Sequence, residues 1–317
     1  MWYPIKFELN LVEKIWGGHS FLNYKEEVNP NINYGESWEV SAHKNGLSVI
    51  ANGEFKGQKL IDIINEYGDS FLGEGITEKF DKFPMLIKFL DIHDKLSVQV
   101  HPNDEYALEN EGEFGKLEAW YVIEASPDAE LILGVKEGVT KKELKEKMED
   151  NDFDDLFNIV SVKKGDFINV EPGTVHASLN GSILIYEIQQ NSDATYRIYD
   201  FDRIFNGQKR ELHLKKALDV IDNTKKVIIK NTEKDKREVI ELSNNKYFNL
   251  EKINCKKKYI EKNDSFFRIY SNIEGKGKIV YNNKEVEFKK GDTFFIPTKL
   301  KIEIIGDLEL LKGSIKI

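Results

Sequence analysis

The chain has 317 residues and a formal charge of −9, from 46 basic and 55 acidic residues. That length allows a large buried core and about two domains, while the acidic balance gives no basic surface for nucleic acid. The single cysteine, Cys255, excludes an intramolecular disulfide and suits a reducing compartment. Met1 begins no signal peptide and no apolar run reaches membrane-spanning length, so we expect a cytoplasmic protein without membrane partners.

Short extended segments alternate with Gly, Asn and Pro turns in the first part of the chain. Strands are predicted at Ile5–Leu9, Ser37–Ser41, Ser48–Ile50 and Met85–Phe89. Apolar residues from Leu60 to Tyr67 recur at helical spacing, which predicts one amphipathic helix among these strands.

Two further helices are predicted by their capping residues. Asn103 or Asp104 is placed to cap a short helix in the polar loop that follows the predicted strand LSVQV. A capping box that begins at Thr140 predicts a helix to about Asp150. A further turn or two near Asp152–Phe157 would complete a small helical insertion.

Strands then resume and lead to a second domain. They are predicted at Ile159–Val162, Phe167–Val170 and Ser182–Gln189, and an earlier strand, Lys116–Ile123, lies between the two capped helices. An amphipathic helix over Leu214–Ile221 precedes Asp222–Lys234, which is interpreted as a linker. The predicted domains are therefore residues 1–234 and 235–317.

The second domain is almost entirely strand-like. Short β-rich runs lie at Tyr247–Ile253, Phe266–Tyr270, Lys278–Tyr281, Val286–Phe288 and Thr293–Ile296. Asn282-Asn283 is a credible hairpin turn because asparagine tolerates the left-handed backbone that such turns need. Closely spaced short strands favour a sandwich or a barrel.

One four-residue turn occurs twice. Lys163–Asp166 and Lys289–Asp292 both read Lys-Lys-Gly-Asp, and each precedes an apolar strand and a proline-containing turn. The first copy continues to His176, whereas the second reaches no ligand-type residue. A chance match is the alternative, but the following strand and proline favour a duplicated jelly roll of which only the first copy holds a metal.

Polar residues line one face of a predicted strand. In LSVQV and the residue after it, Ser97, Gln99 and His101 alternate with valines. Glu118 follows among aromatic residues, and His176 follows a Pro-Gly turn. Singly, such residues are more often satisfied polar groups of a half-exposed strand; together they make a plausible ligand set for a divalent metal such as zinc.

The same residues carry a resemblance to the cupin superfamily. The segment from Gly165 to Asn180 resembles its second signature motif. Gln99-Val100-His101 resembles its first motif, with Gln in place of the leading His. Because Glu118 arrives later than the usual cupin glutamate, Pro102–Gly115 is interpreted as an insertion between ligand strands.

Within that superfamily the chain resembles type I mannose-6-phosphate isomerases, in their compact bacterial form without a large helical domain. The motifs that carry the resemblance are KIWGG, GESWEVS, FPMLIKFLD, LSVQVHPND, GKLEAWYVI, PGTVHA and EIQQNSDATYRIYDFDR. They span about Lys14–Arg203, and the C-terminal part carries little family signal of its own.

The resemblance implies a mainly β fold: a duplicated cupin jelly-roll β-sandwich with small helical insertions. It also implies one zinc ion per chain and a small-molecule sugar phosphate as the substrate, isomerised between its mannose and fructose forms. The implied zinc ligands are Gln99, His101, Glu118 and His176. The implied catalytic residues are Arg197, Lys116 and Glu187, and the implied substrate-binding residues are Ser97, Lys88 and Arg203.

The chemistry of these side chains suggests a division of labour. Moving a carbonyl between neighbouring carbons through an enediol needs a proton carrier and a positive charge near the developing oxyanion. Arg197 is permanently protonated and suits the charge, and its polar segment QQNSDATYR predicts a loop after a strand. Lys116 and Glu187 are the better proton carriers, and the sequence does not choose between them. Arg203 stays open between a phosphate contact and an ordinary ion pair with Asp200 or Asp202.

Two rival functions remain at this point. A cupin dioxygenase would hold non-haem iron, usually with three histidines and a glutamate or with two histidines and a carboxylate; Gln99 and the cations Lys116 and Arg197 argue against it. A non-catalytic sugar- or metal-binding cupin would need no proton carriers. The oligomeric state is not predicted.

Overall fold

The structure, a computed structural model, describes residues 1–150, 152–153, 155–205, 207–262 and 264–315. Strands make up 43% of it and helices 14%, which confirms the mainly β prediction. The helices are α1 Leu60–Tyr67, α2 Asp69–Leu72, α3 Ile76–Lys79, α4 Asp104–Glu111, α5 Lys141–Glu149 and α6 Leu214–Val220. Among the described residues, no helix has the length and apolar character needed to cross a membrane.

The strands are numbered in chain order. Those of the first part of the chain are β1 Ile5–Lys6, β2 Leu11–Gly18, β3 Tyr34–Val40, β4 Met85–Ile92, β5 Val98–Val100, β6 Glu118–Ala125, β7 Glu130–Val135, β8 Phe157–Ser161, β9 Asp166–Val170, β10 His176–Asn180, β11 Ile183–Gln190, β12 Tyr196–Tyr199, β13 Ile204–Phe205, β14 Gln208–Lys209 and β15 Ile229–Asn231. The remaining strands are β16 Val239–Asn244, β17 Asn249–Cys255, β18 Lys258–Ile260, β19 Arg268–Tyr281, β20 Lys284–Lys289, β21 Thr293–Ile296 and β22 Glu303–Ser314.

Two antiparallel sheets pack face to face in the first part of the chain. The outer sheet has the order β12-β5-β10-β7-β8, and the central sheet has the order β15-β9-β6-β11-β4-β2-β3. Trp120 and Val122 of β6 share a buried cluster with Leu131 and Leu133 of β7. The space between these two sheets is therefore a sandwich core.

The opposite face of the central sheet packs on a third sheet. This C-terminal sheet has the order β1-β21-β19-β22-β17-β16, with β18 on β22 and β20 on β19. Ala119 and Tyr121 of β6 share a buried cluster with Leu250, Ile269 and Phe295 of the C-terminal sheet. Because side chains alternate along a strand, one face of β6 packs in the sandwich core and the other face packs against the C-terminal sheet.

The repeated Lys-Lys-Gly-Asp turn has the same geometry in both places. Asp166 Oδ2 accepts a hydrogen bond of 2.9 Å from the backbone N–H of Lys163, and Asp292 Oδ2 accepts one of 2.8 Å from that of Lys289. The glycine between them has φ of 84° in the first turn and 86° in the second. One turn opens β9 and the other opens β21, as a duplicated β unit predicts.

Local capping signals were reliable. The Asn103 side chain accepts a hydrogen bond from the N–H of Tyr106 at the start of α4, and Thr140 accepts one from the N–H of Glu143 at the start of α5. The amphipathic helix at Leu60–Tyr67 is also confirmed. These interactions lie within one helical turn, so the sequence alone is enough to predict them.

Among the predictions of local structure, those for Asp152–Phe157 and for Asp222–Lys234 were wrong. The described residues of Asp152–Phe157 form no helix; Asp154 lies outside them, and Phe157 begins β8 and pairs with Val135 of β7. The predicted linker Asp222–Lys234 contains β15, which pairs with β9 at the edge of the central sheet. In both cases pairing with a distant strand decides the conformation. The domain boundary at 234/235 stays a prediction.

Candidate active site

A cluster of ligand-type side chains lies between the outer and central sheets. The ligand atoms of His101, Glu118 and His176 are all within 4.8 Å of one another, and the three residues are buried. His176 opens β10, where its antiparallel partner on β5 is Gln99, and Glu118 opens β6 on the facing sheet. The structure therefore brings the four predicted ligands to one place.

Backbone carbonyls orient the two imidazoles. His101 Nδ1 donates to the carbonyl of Ala194 at 2.9 Å, and His176 Nδ1 donates to the carbonyl of Thr174 at 3.0 Å. Each ring then carries its lone pair on Nε2, which faces Glu118 at 3.4 Å from His101 and 3.7 Å from His176. In metal sites, a hydrogen bond from the ring nitrogen that does not bind the metal orients a histidine in the same way.

Several atoms of this cluster have no hydrogen-bond partner. His101 Nε2 and both carboxylate oxygens of Glu118 are fully buried without a hydrogen bond among the described residues, although Glu118 Oε1 has the Lys116 ammonium as an ion-pair partner at 3.0 Å. Leaving a buried polar group unpaired costs about 1–3 kcal/mol. Two imidazole nitrogens and a carboxylate are a donor set that zinc accepts. The unpartnered atoms therefore fit a bound divalent cation.

Burial keeps the two imidazoles neutral, and neighbouring charges keep the carboxylate ionised, which are the protonation states that a metal needs. Burial, with the nearby His101, lowers the pKa of His176 to about 3, and burial also lowers the pKa of His101. Burial raises the pKa of Glu118, but the Lys116 ammonium and the histidines outweigh it and hold that pKa well below its ordinary value. The site thus offers neutral imidazoles and an ionised carboxylate.

Gln99 completes the set through its amide. Its Nε2 lies 3.3 Å from His176 Nε2, which accepts because the other ring nitrogen is the donor. A half-turn of the amide would place Oε1 at the same point and present an oxygen to a cation.

Lys116 lies against the cluster as a cation. Its Nζ is 3.0 Å from Glu118 Oε1. Burial lowers the pKa of Lys116, but the carboxylates of Glu118, Glu187 and Asp193 outweigh burial and raise that pKa above its ordinary value. With these neighbours the lysine is protonated, the opposite of the shift toward neutrality that a base would need.

Glu187 is a buried carboxyl group on the same face of the central sheet. Its Oε2 accepts a 2.8 Å hydrogen bond from the indole of Trp120, and its Oε1 is 3.7 Å from Lys88 Nζ. Burial, with the negative charge of Glu118, raises the pKa of Glu187 to about 7. Trp120 also packs its ring edge-on against His176, with centroids 5.3 Å apart. One indole thus orients both groups.

Arg197 and Ser97 lie together at the edge of the outer sheet. Arg197 Nε donates to Ser97 Oγ at 3.3 Å, and Arg197 pairs in register with Gln99. The expectation of a loop at this point was wrong, because Arg197 belongs to β12. The alternation of buried Tyr196 and Ile198 with half-buried Arg197 was the missed strand signal.

Arg203 does not join this group. Its guanidinium donates to Asp200 Oδ1 at 2.7 Å and to the carbonyl of Lys95, and it stacks over Phe201. Asp200 also binds Arg210. Among the described residues, no hydrogen bond connects Arg203 to the other predicted site residues.

Lys88 has two neighbours, Glu36 and Trp38, that were not predicted from the sequence. Lys88 Nζ lies 4.6 Å from the Trp38 ring centroid and 3.9 Å from Glu36 Oε2, which also accepts a 2.7 Å hydrogen bond from the Trp38 indole. Lys14 pairs with the second oxygen of Glu36 at 3.1 Å. The alternation in GESWEVS, which puts Glu36 and Trp38 on one face, could have revealed them.

A cupin with a buried His–Glu–His cluster between two sheets is the class of protein that this fold and site define. The protein-family model of the phosphomannose isomerase type I catalytic domain matches residues 5–118 of this chain. The family model of the mannose-6-phosphate isomerase cupin domain matches residues 238–313. The chain belongs to the type I mannose-6-phosphate isomerase family. The expectation of little family signal in the C-terminal part was wrong.

Three similar proteins match this chain over almost its whole length. The mannose-6-phosphate isomerase ManA of Bacillus subtilis is 40% identical over 299 residues, 93% of both chains. The mannose-6-phosphate isomerase of Streptococcus mutans is 37% identical over 97% of both chains. A crystal structure of the Bacillus subtilis mannose 6-phosphate isomerase superposes with a TM-score of 0.89 at 36% identity, covering 98% of this chain and 99% of that one.

Proposed function

We propose that this chain interconverts mannose 6-phosphate and fructose 6-phosphate through an enediol, with one zinc ion held by Gln99, His101, Glu118 and His176. The observation that carries the proposal is the buried His101–Glu118–His176 cluster, in which His101 Nε2 and both Glu118 oxygens lack a hydrogen bond, in a member of this isomerase family. When bound, zinc would supply a Lewis acid close to the sugar oxygens.

Glu187 is the proposed proton carrier. The reaction removes a proton from one carbon of the sugar and returns it to the neighbouring carbon. The indole hydrogen bond from Trp120 holds one carboxylate oxygen, and the second oxygen faces Lys88. A buried carboxyl group held in this way can take up a proton and release it without changing its position.

The cations have separate proposed roles. Lys116, 3.0 Å from Glu118, contributes a fixed positive charge beside the reacting oxygens. Arg197 stabilises the charge of the enediolate from the neighbouring strand. Ser97 and Lys88 bind substrate, and Ser97 also receives the Arg197 hydrogen bond. Arg203 is proposed for the phosphate group, where the nearby Arg210 adds positive charge.

We also propose that the enzyme is cytoplasmic. Its catalytic domain would span residues 1–234, and a metal-free cupin-like domain would span residues 235–317. The position of Cys255, buried and unpaired, agrees with a reducing compartment.

A coupled assay on the purified protein tests the function. Mannose 6-phosphate should be converted to fructose 6-phosphate, a chelator should abolish the conversion, and zinc should restore it. A protein that binds zinc but gives no conversion would be a binding cupin instead. Oxygen uptake with bound iron would indicate the dioxygenase alternative.

A further inference from the structure

A hydrogen-bonded connection runs from the C-terminal sheet to the loop before β6. Tyr247 lies in the turn between β16 and β17, and its hydroxyl donates to Asp104 Oδ2. Lys246 Nζ lies 3.2 Å from the same oxygen. Asp104 is the first residue of α4, in the loop between β5 and β6.

The other oxygen of Asp104 continues the connection. Asp104 Oδ1 accepts hydrogen bonds from Gln190 Nε2 at 2.9 Å and from the N–H of Gly115 at 3.0 Å. Gln190, which is 2% exposed, binds both backbone groups of Leu117: its Oε1 accepts from the Leu117 N–H at 2.9 Å, and its own N–H donates to the Leu117 carbonyl at 3.0 Å. Asp104 thus holds the residue before Lys116 directly and the residue after it through Gln190.

The loop closes tightly at this point. The N–H of Lys116 donates to the carbonyl of Pro102 at 3.0 Å. A Cβ on Gly115 would lie 2.5 Å from the backbone carbon of Asn103, so the two ends of the loop touch without spare room. A shift of Asp104 must therefore move the backbone that carries Lys116 and Glu118.

We propose that Tyr247 is a positioning residue for the isomerase reaction. Through Asp104 and Gln190 it sets the position of Lys116 and Glu118, although it contacts neither. The inference rests on the proposed function of the same site. Its physical reason is that a hydrogen bond to an ionised carboxylate is strong, and that a displacement of about 1 Å at a reacting group can lower a rate about a hundredfold.

The variant Tyr247→Phe, made in the full zinc-loaded chain, tests the inference because it removes only the hydroxyl. We expect kcat to fall about tenfold with KM within about twofold of wild type. Amide hydrogen exchange of a peptide that covers residues 113–118 should become faster, since Asp104, which accepts from the Gly115 N–H and holds Gln190 against Leu117, loses the hydrogen bond that fixes it.

A matched control is Tyr24→Phe. The Tyr24 hydroxyl also donates to a carboxylate, Glu124, at 2.5 Å, but Glu124 lies six residues beyond Glu118 on β6, about 20 Å away. This variant should keep kcat and the exchange rate of residues 113–118. The double variant Asp104→Asn/Tyr247→Phe should lose no more activity than the more severe single variant, because both changes interrupt one connection.

The outcomes separate the two proposals. If wild type is active and Tyr247→Phe keeps both its kcat and its exchange rate, Tyr247 is an interdomain contact only and the inference fails. An equal loss in Tyr24→Phe, or additive losses in the double variant, would also overturn it. If wild type does not convert mannose 6-phosphate, the proposed function fails, and the exchange comparison still decides whether Tyr247 positions the loop.

Discussion

His176 lies directly opposite Gln99 on neighbouring antiparallel strands, with 3.3 Å between His176 Nε2 and Gln99 Nε2. The two residues are 77 positions apart in the chain, so the pairing of β10 with β5 alone brings them together. A slip of one residue in this register would turn His176 to the opposite face of the sheet. The register of β10 against its two neighbours, β5 and β7, therefore decides whether the cluster exists.

Replacing His176 with alanine should remove the metal. The variant loses one of two imidazole donors, so we expect zinc content near zero and no isomerase activity, with the β circular dichroism of wild type retained. Elemental analysis of the purified variant measures this. His19→Ala, at an exposed histidine, is the control and should keep its zinc. Wild-type zinc content in the His176 variant would refute the ligand assignment.

The chain should bind one zinc ion and not two. The second Lys-Lys-Gly-Asp turn leads through β21 to Pro297 and Thr298, without a histidine that corresponds to His176. Titration of the metal-free protein with zinc should therefore reach one equivalent. A second tight equivalent that survives His176→Ala would place a metal in the C-terminal unit and contradict the prediction.

Arg197→Ala should lower kcat about a hundredfold or more and change KM little, because its charge is proposed to stabilise the enediolate and not the bound sugar. Zinc content should stay normal, since no ligand changes. Steady-state kinetics in both reaction directions measure this, with the exposed Arg237→Ala as the control. A raised KM with normal kcat would make Arg197 a binding residue instead.

Glu187→Gln should lower kcat at least about a hundredfold, because the amide keeps the shape of the side chain but cannot carry the proton. Zinc content should be unchanged. The exposed Glu124→Gln on the neighbouring strand should behave like wild type. Substantial isomerase activity in the Glu187 variant would show that another group, with Lys116 the next candidate, transfers the proton.

Glu36 should make the free energy of unfolding depend on pH. Burial raises its pKa, but Lys88, Lys14 and the Trp38 indole outweigh burial and lower the pKa from 4.5 to about 2. A lowered folded-state pKa stabilises the fold above pH 4.5, and this stabilisation, about 3 kcal/mol, is lost as the pH falls from 4.5 toward 2.

Urea unfolding of wild type and Glu36→Gln at several pH values, both with a chelator present, measures this contribution. The difference in unfolding free energy between the two proteins should shrink as the pH falls through that window. A difference that stays constant from pH 5 to pH 2 would mean that Glu36 has an ordinary pKa in the folded protein.

Sequence patterns predicted much of the candidate site and missed specific parts of it. Alternation in LSVQV put Gln99 and His101 on one face, and the structure brings both beside Glu118 and His176. Arg197 was expected in a loop because its segment is polar, yet it pairs with β5 at the edge of the outer sheet. Edge strands carry polar residues, so composition alone does not distinguish them from loops.

The sequence by itself determined the features that arise within a few residues. The Thr140 cap and the Lys163–Asp166 turn form because a side chain satisfies a backbone N–H three positions away, whatever the rest of the chain does. Only the tertiary structure decided that β5, β6, β10 and β11 meet, and that Glu187 becomes a buried carboxyl group with a pKa of about 7. Register and desolvation depend on distant strands, and no local pattern of residues contains them.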